Sequence, residues 1–193
     1  MGTLDAHVTW NNTQEQIDIN AVADDTAAAG STIIQGYVSP KRDYIDLGIT
    51  ARHTRLEFLQ SLCGSFMHNV DAHADGQVRL FGPLSHINLT GELMADGTIG
   101  IKPLNTVYTL SQSVVRMRPN EIEFPQDTIR DRNGNIGIVE GILHHRNLTR
   151  LSYDLNIHTQ NLLAYDFKDN GTQTFYGTVY ATGDCAIHGG SGE

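Results

Sequence analysis

Between Asp127 and Ile157 apolar residues recur at every second position, a spacing that gives a strand one dry face and one wet face. Ile136 and Ile138 alternate after Asn133-Gly134, Gly141 interrupts, and Tyr153, Leu155 and Ile157 resume the alternation around Asp154 and Asn156. Asn133-Gly134 sets side by side two residues that tolerate positive φ, the requirement of a two-residue turn between antiparallel strands. The stretch predicts a hairpin closed by that dipeptide.

The same pattern occurs earlier in the chain. Ile33 to Val38 followed by Tyr44 to Ile49 matches Ile138 to Leu143 followed by Tyr153 to Ile157, with Gly36 and Gly141 in equivalent places (141 − 36 = 105). Gly76 to Gly82 matches Gly177 to Gly183 at a nearly equal offset (177 − 76 = 101). Two ordered matches predict a diverged tandem repeat, with units of about 1–97 and 98–193 inside a single repetitive fragment, and hence an elongated architecture. Gly-bounded strands also look alike in any all-β protein, so the pattern leaves open a self-contained sandwich or solenoid used as an adhesion or scaffold module through its strand edges.

Composition narrows the partners. A net charge of −9 repels polyanions, which argues against nucleic acid as a partner. Nineteen glycines against five prolines, among many Thr, Ile, Val and Asn, favour strands joined by tight turns. Cys63 and Cys185 are the only cysteines, which excludes a disulfide framework and leaves one bridge open. No run approaches the roughly 18 apolar residues of a membrane span, and Met1-Gly2-Thr3-Leu4-Asp5 lacks the charged start and apolar core of a signal. The start in a polar strand and the Gly189-Gly190-Ser191-Gly192 tail read as a fragment of a longer protein.

One stretch departs from the β pattern. Thr54-Arg55-Leu56-Glu57 has the form of a capping box, and Leu59, Leu62, Cys63, Phe66, Met67 and Val70 then share one helical face. The spacing predicts one amphipathic helix over about 54–68, with Leu59, Leu62, Phe66 and Met67 sealing an apolar surface. Elsewhere short strands are expected between the turn signals Asp75-Gly76, Asp96-Gly97, Pro119-Asn120 and Asp169-Asn170-Gly171.

Chemistry-bearing motifs are sparse. Nine histidines raise a metal site, but His144-His145 face opposite sides of a strand, and His68 and His73 lack the spacing of a metalloprotease helix. Asp131-Arg132-Asn133-Gly134-Asn135 departs from a calcium loop, since its glycine falls one place early and no glutamate closes it. Neither a nucleophile elbow nor a phosphate loop occurs, and Glu121 and Glu123 fall on the wet side of an alternating strand. The reading expects no enzyme, no cofactor and no metal.

A resemblance adds to this reading. Asp131-x-Asn133-Gly134-Asn135, Gly141-x-Leu143-His144-His145, Tyr153-Asp154-Leu155, Asn161 to Asp166, and Phe175-Tyr176-Gly177-Thr178-x-Tyr180-Ala181-Thr182-Gly183, taken in that order, resemble the translocation and assembly module TamB family in its Bacteroidetes branch. The likeness is strongest from about Gly76 to Gly189. It implies a periplasmic segment of a long envelope protein, anchored in the inner membrane through an N-terminal helix outside this chain and partnered with a BamA-type outer-membrane barrel. The implied fold is an antiparallel sheet curled into an open β-taco. The implied roles are carriage of phospholipid between the membranes and assembly of outer-membrane proteins, whose unfolded chains would be clients.

Alternation names the residues that would line such a groove: Val78, Leu80, Leu89, Ile99, Ile101, Ile122, Phe124, Ile136, Ile138, Leu155, Ile157 and Val179, with Ile17, Ile19, Ile45, Leu47 and Ile49 nearer the start. Phospholipid or acyl chains would be held there by buried area, at about 25 cal/mol per Å².

Overall fold

The computed structural model describes residues 2–26, 29–62, 67–146, 149–169, 171 and 174–190, without the side chains of 61, 62 and 149. Eleven strands form one antiparallel sheet in which order in space equals order in sequence. They are β1 (Gly2–Asn11), β2 (Gln16–Asp25), β3 (Gly30–Ser39), β4 (Tyr44–Arg55), β5 (Met67–Pro83), β6 (Asn88–Ile101), β7 (Thr106–Arg118), β8 (Glu121–Arg130), β9 (Ile136–Arg146), β10 (Thr149–Phe167) and β11 (Gly177–Gly190). β1 and β11 are the two edges, and the sheet does not close into a barrel.

Directly paired residues point to the same face, so the register sorts the side chains. One continuous row takes one residue from every strand: Ala6, Ala21, Ile34, Ile49, Val78, Gly91, Met117, Ile122, Leu143, Tyr153 and Gly189. None of the eleven is charged. The adjacent row, on the opposite face, is Asp5, Val22, Ile33, Thr50, Gln77, Glu92, Arg116, Glu123, Ile142, Asp154 and His188. Period two in the sequence has become two chemically different surfaces on one sheet.

The helix is far shorter than its periodicity predicts. β4 runs on to Arg55 and β5 begins at Met67, and among the described residues between them α1 covers only Phe58–Leu62. Thr54 does not cap it: its hydroxyl lies 2.8 Å from that of Thr32 and donates to the Ser31 carbonyl at 3.2 Å, both across the sheet. Leu56 N–H donates to the Ala72 carbonyl, which keeps the chain tied to β5 until just before the turn. Pairing along β5 outweighs the propensity of a short isolated helix. Cys63 and Phe66 lie outside the described residues.

The central hairpin also differs in its turn. Only Gly134 adopts positive φ (83°), Gly134 N–H donates to the Asp131 carbonyl at 3.0 Å, and Asp131 N–H donates to the Asn135 carbonyl at 3.0 Å. This is a three-residue loop with glycine in the left-handed position. The Asp131 side chain explains the longer loop, because its carboxylate accepts from the N–H groups of Asn133 and Asn135 at 2.8 and 2.9 Å.

Asp75-Gly76 and Asp96-Gly97 sit inside strands rather than at turns. Each aspartate accepts from a residue at a bulge on the neighbouring strand. His53 (φ 50°) donates its N–H to Asp75 Oδ1 at 2.8 Å, and Gln112 (φ 52°) donates to Asp96 Oδ1 at 2.8 Å. Asn161 (φ 52°) makes the same bond to Thr182 Oγ1 at 2.9 Å, next to Gly183. In all three the residue two places before the bulge pairs with the glycine: Ala51 with Gly76, Leu110 with Gly97, Thr159 with Gly183. A Cβ on Gly76 would stand 2.3 Å from the Glu92 carbonyl oxygen, so the neighbouring strand requires glycine there. Bulges of this kind bend a strand and raise its twist.

Beyond its bulge β10 crosses the end of the sheet. Tyr108 Oη donates to the Leu163 carbonyl at 2.7 Å, Leu163 N–H donates to Asp131 Oδ2 at 2.8 Å, and Asp166 N–H donates to the Leu104 carbonyl at 3.0 Å. Leu162 thereby packs against Tyr108 and Ile129, with Ile101, Leu110 and Val139 around them. Leu163 is 1% exposed.

Candidate functional site

The apolar face runs across all eleven strands. Val78, Leu80, Leu89, Ile99, Ile101, Ile122, Phe124, Leu155, Ile157 and Val179 all lie on it, as do Ile17, Ile19, Ile45, Leu47 and Ile49. Ile136 and Ile138 lie on the other face, because Ile138 pairs with Thr128 and His158. Val139, paired with Asp127 and Ile157, holds the apolar position instead. The misplacement arises at Gly137: it faces the apolar side but carries no side chain, so alternation read from large residues slips by one. Leu93, Val115, Met117 and Leu143 also belong to this face. Of the expected seal, Leu59 is half-buried in α1, Met67 stands in β5 opposite Ile101, and the Leu62 side chain and Phe66 are outside the described residues.

Most of these side chains are half-buried, covered by neighbours along the sheet rather than by a second layer. Exposure is highest at the two edges: on β1 Leu4, Val8 and Trp10 are 73%, 59% and 54% exposed, and on β11 Val179 is 52% exposed. The bent part of β10 closes one part of the face, and Ala51, Ala72, Ala74 and Ala95 are buried on another part of it, where α1 lies against β5. The rows cross all eleven strands, but the only contact between non-neighbouring strands that fixes a covering segment is that of β10 with β7, among the described residues.

Buried polar groups interrupt the apolar surface, Asp127, Ser113 and His145 among them. Asp127, on the apolar face of β8, is buried and accepts from the Val114 N–H at 2.7 Å, while its other oxygen has no partner in the protein. Burial pushes its carboxyl above the ordinary value, and the Val114 bond offsets only part of this. Ser113, paired with Ala95, is buried beside the same region. His145 is buried near the opposite end with neither ring nitrogen bonded, and burial, aided by His86, pulls its pKa below that of a free imidazole.

Asp131 behaves in the opposite way. Burial favours its neutral form, but bonds from the Asn135 side chain and from the N–H groups of Leu163, Asn133 and Asn135 prevail and hold the carboxyl below the usual range. Its oxygens serve the turn and β10, which accounts for the partial likeness to a calcium loop. Among the described residues no group of three or more His, Cys, Asp or Glu side chains is placed to hold a metal ion.

The polar face is laced with cross-strand ion pairs. Arg79 pairs with Asp46 at 2.6 Å, Arg116 with Glu92 at 2.8 Å and Arg118 with Glu123 at 2.8 Å. A depression of about 450 Å³ over Gly48 is lined by Asp46, Thr50, Gln77, Arg79 and Thr90. It opens where glycine leaves a gap in the polar row, and the Arg79 bonds hold Asp46 well below the usual carboxylate range. Histidines join the same face: His188 lies 2.6 Å from Asp154 and His158 lies 2.7 Å from Asp184. His144 lies 3.4 Å from Asp154. These groups pair with one another and leave the apolar face as the surface without a built-in partner. Cys185 is free and exposed, so no bridge forms at that residue.

No protein-family model, no curated protein and no solved structure matches this chain.

Proposed function

We propose that this chain is a non-enzymatic lipid-carrying segment, in which the apolar face curls into an open groove of the β-taco type and takes the acyl chains of phospholipid. The observation that carries the reading is the uncharged row that crosses every strand from Ala6 to Gly189. At about 4.8 Å per strand it extends some 48 Å along the sheet, longer than a single acyl chain. A surface that long and that apolar, half-covered only by its own neighbours, needs an apolar occupant or a second layer. The bulges at His53, Gln112 and Asn161 supply the curvature. Affinity would come from area removed from water, at about 25 cal/mol per Å².

In the setting that the TamB resemblance supplies, the segment works in the periplasm as part of a protein anchored in the inner membrane. It would partner a BamA-type barrel and deliver phospholipid outward, with unfolded outer-membrane proteins as further clients of the same surface.

The test is native mass spectrometry of the chain purified from a bacterial host, with solvent extraction of bound material. Phospholipid or fatty acid bound to the wild type and lost from Val78→Asp, with the strand signature in circular dichroism retained, supports the reading. A wild-type chain that is ligand-free and takes up no lipid from phosphatidylethanolamine vesicles overturns it.

A further inference from the structure

The edge strand β1 carries an inference that does not depend on lipid. From Gly2 to Trp10 every residue is exposed. The strand pairs with β2 in unbroken register over its whole length, from Gly2 opposite Asp25 to Asn11 opposite Gln16. It contains no proline, no lysine and no bulge, the devices that ordinarily block the growth of an edge. The other edge is different. β11 has positive φ at Gly177 and Gly183, and its pairing with β10 shifts register twice.

We propose that β1 pairs antiparallel with β1 of a second copy of this chain, across a two-fold axis at Ala6. The sequence of the strand is self-complementary about that residue. With Ala6 opposite Ala6, Leu4 meets Val8, Asp5 meets His7, Thr3 meets Thr9, and Gly2 meets Trp10, each pair twice. Apolar residues meet apolar on one face, and acid meets imidazole on the other. An aromatic side chain covering an edge glycine is a recognised means of fixing register.

The two neighbouring two-fold registers are worse matched. An axis at Asp5 sets Asp5 against Asp5, and an axis at His7 sets His7 against His7 while leaving Asp5 opposite Thr9. Like groups directly opposite destabilise a strand pair. The Asp–His pairing is also one that this sheet already uses: Asp154 stands opposite His188 at 2.6 Å and His158 opposite Asp184 at 2.7 Å. The axis stands normal to the sheet, so the apolar faces of both copies lie on the same side and the uncharged row continues from one Ala6 to the next.

Crosslinking reads the register directly. In a Cys63→Ser/Cys185→Ser background, Ala6→Cys chains should form dimers with a thiol reagent of about 5 Å reach, the separation of directly opposed Cβ atoms. Leu4→Cys and Val8→Cys chains should crosslink when mixed and not when alone, since like positions are displaced by about 14 Å along the strand. By sedimentation, Asp5→His should weaken the dimer about tenfold, and Asp5→His/His7→Asp should restore it by exchanging the partners. A monomer at every concentration, a dimer indifferent to Asp5→His, a double variant that stays as weak as Asp5→His, or Leu4→Cys chains that crosslink alone would each overturn the pairing. Circular dichroism of every variant checks that the sheet is intact.

Discussion

Strands β3 to β5 and strands β9 to β11 begin alike and end differently. In the first block Gly36 pairs with Leu47, Ala51 with Gly76, and His53 bulges toward Asp75. In the second, Gly141 pairs with Leu155, Thr159 with Gly183, and Asn161 bulges toward Thr182. Past the bulge the paths part. β4 makes two more pairs and leaves for the short turn of α1, whereas β10 continues to Phe167 and crosses the end of the sheet. The bulge sets the direction of the strand. Burial beyond it depends on what waits there, and only the second block meets Tyr108 and Asp131.

The strongest way to break this contrast is to remove the anchor. Asp131→Ala strips the acceptor from the N–H groups of Leu163, Asn133 and Asn135, and should cost about 3 to 4 kcal/mol in urea unfolding at neutral pH. A loss below about 1 kcal/mol would show that β10 is held by packing alone. Packing is measured by the next pair of variants. Leu162→Ala should cost about 3 kcal/mol because it opens a cavity under β10, while Leu80→Ala, on the uncovered part of the same face, should cost about 1. Equal losses would mean that the whole face is sealed, against the lipid reading.

The shared feature of the two blocks should matter less. Asp75→Ala and Thr182→Ala each leave a bulge N–H to water and should cost about 1 kcal/mol or less. If Asp75→Ala alone is severe, the bulge at His53 does more than steer the chain.

The smallest effect is electrostatic and has opposite signs at two carboxylates. Asp131, held below its ordinary value, adds stability above the unfolded carboxyl value, and that stability is lost as pH falls through the folded one. Asp127, held above its ordinary value, does the reverse: the chain loses stability as pH rises from the unfolded value through the folded one. Asp127→Asn keeps an oxygen for the Val114 N–H and should flatten the loss on the alkaline side, while Asp131→Asn should flatten the loss on the acid side. Urea midpoints followed from pH 3 to pH 8 would separate the two.

Alternation carried most of the fold. Val8, Ile19, Leu47 and Leu80 fall on one face because period two survives every hairpin. It failed where a small residue held an apolar position, as at Gly137, and where a turn dipeptide lay in mid-strand. Asp75-Gly76 and Asp96-Gly97 read as turns because Asp-Gly usually is one, yet the sequence held a further signal. Ala74-Asp75-Gly76, Ala95-Asp96-Gly97 and Ala181-Thr182-Gly183 share the form Ala, acceptor, Gly, and all three sit opposite bulges. By its bulge partner Gly76 matches Gly183 (183 − 76 = 107). The helix at 54–68 was misread because an i, i+3, i+4 apolar pattern cannot report that a sheet on both sides competes for the same backbone. The bend of β10 was not legible, because it rests on Tyr108 and Asp131, which lie 55 and 32 residues from Leu163.

The agreement of spatial with sequential order has a consequence for how the molecule comes apart. Each strand is held almost wholly by the strands before and after it, so loosening has no need to be global and can advance one strand at a time. The two edges are unequal starting points. Both are bound on one side only, but β1 pairs with β2 whereas β11 pairs with β10, which is itself pinned across β7. Amide protons should therefore exchange in a wave that begins at β1 and slows toward β10, which makes the chain a ratchet with one free end and one locked end.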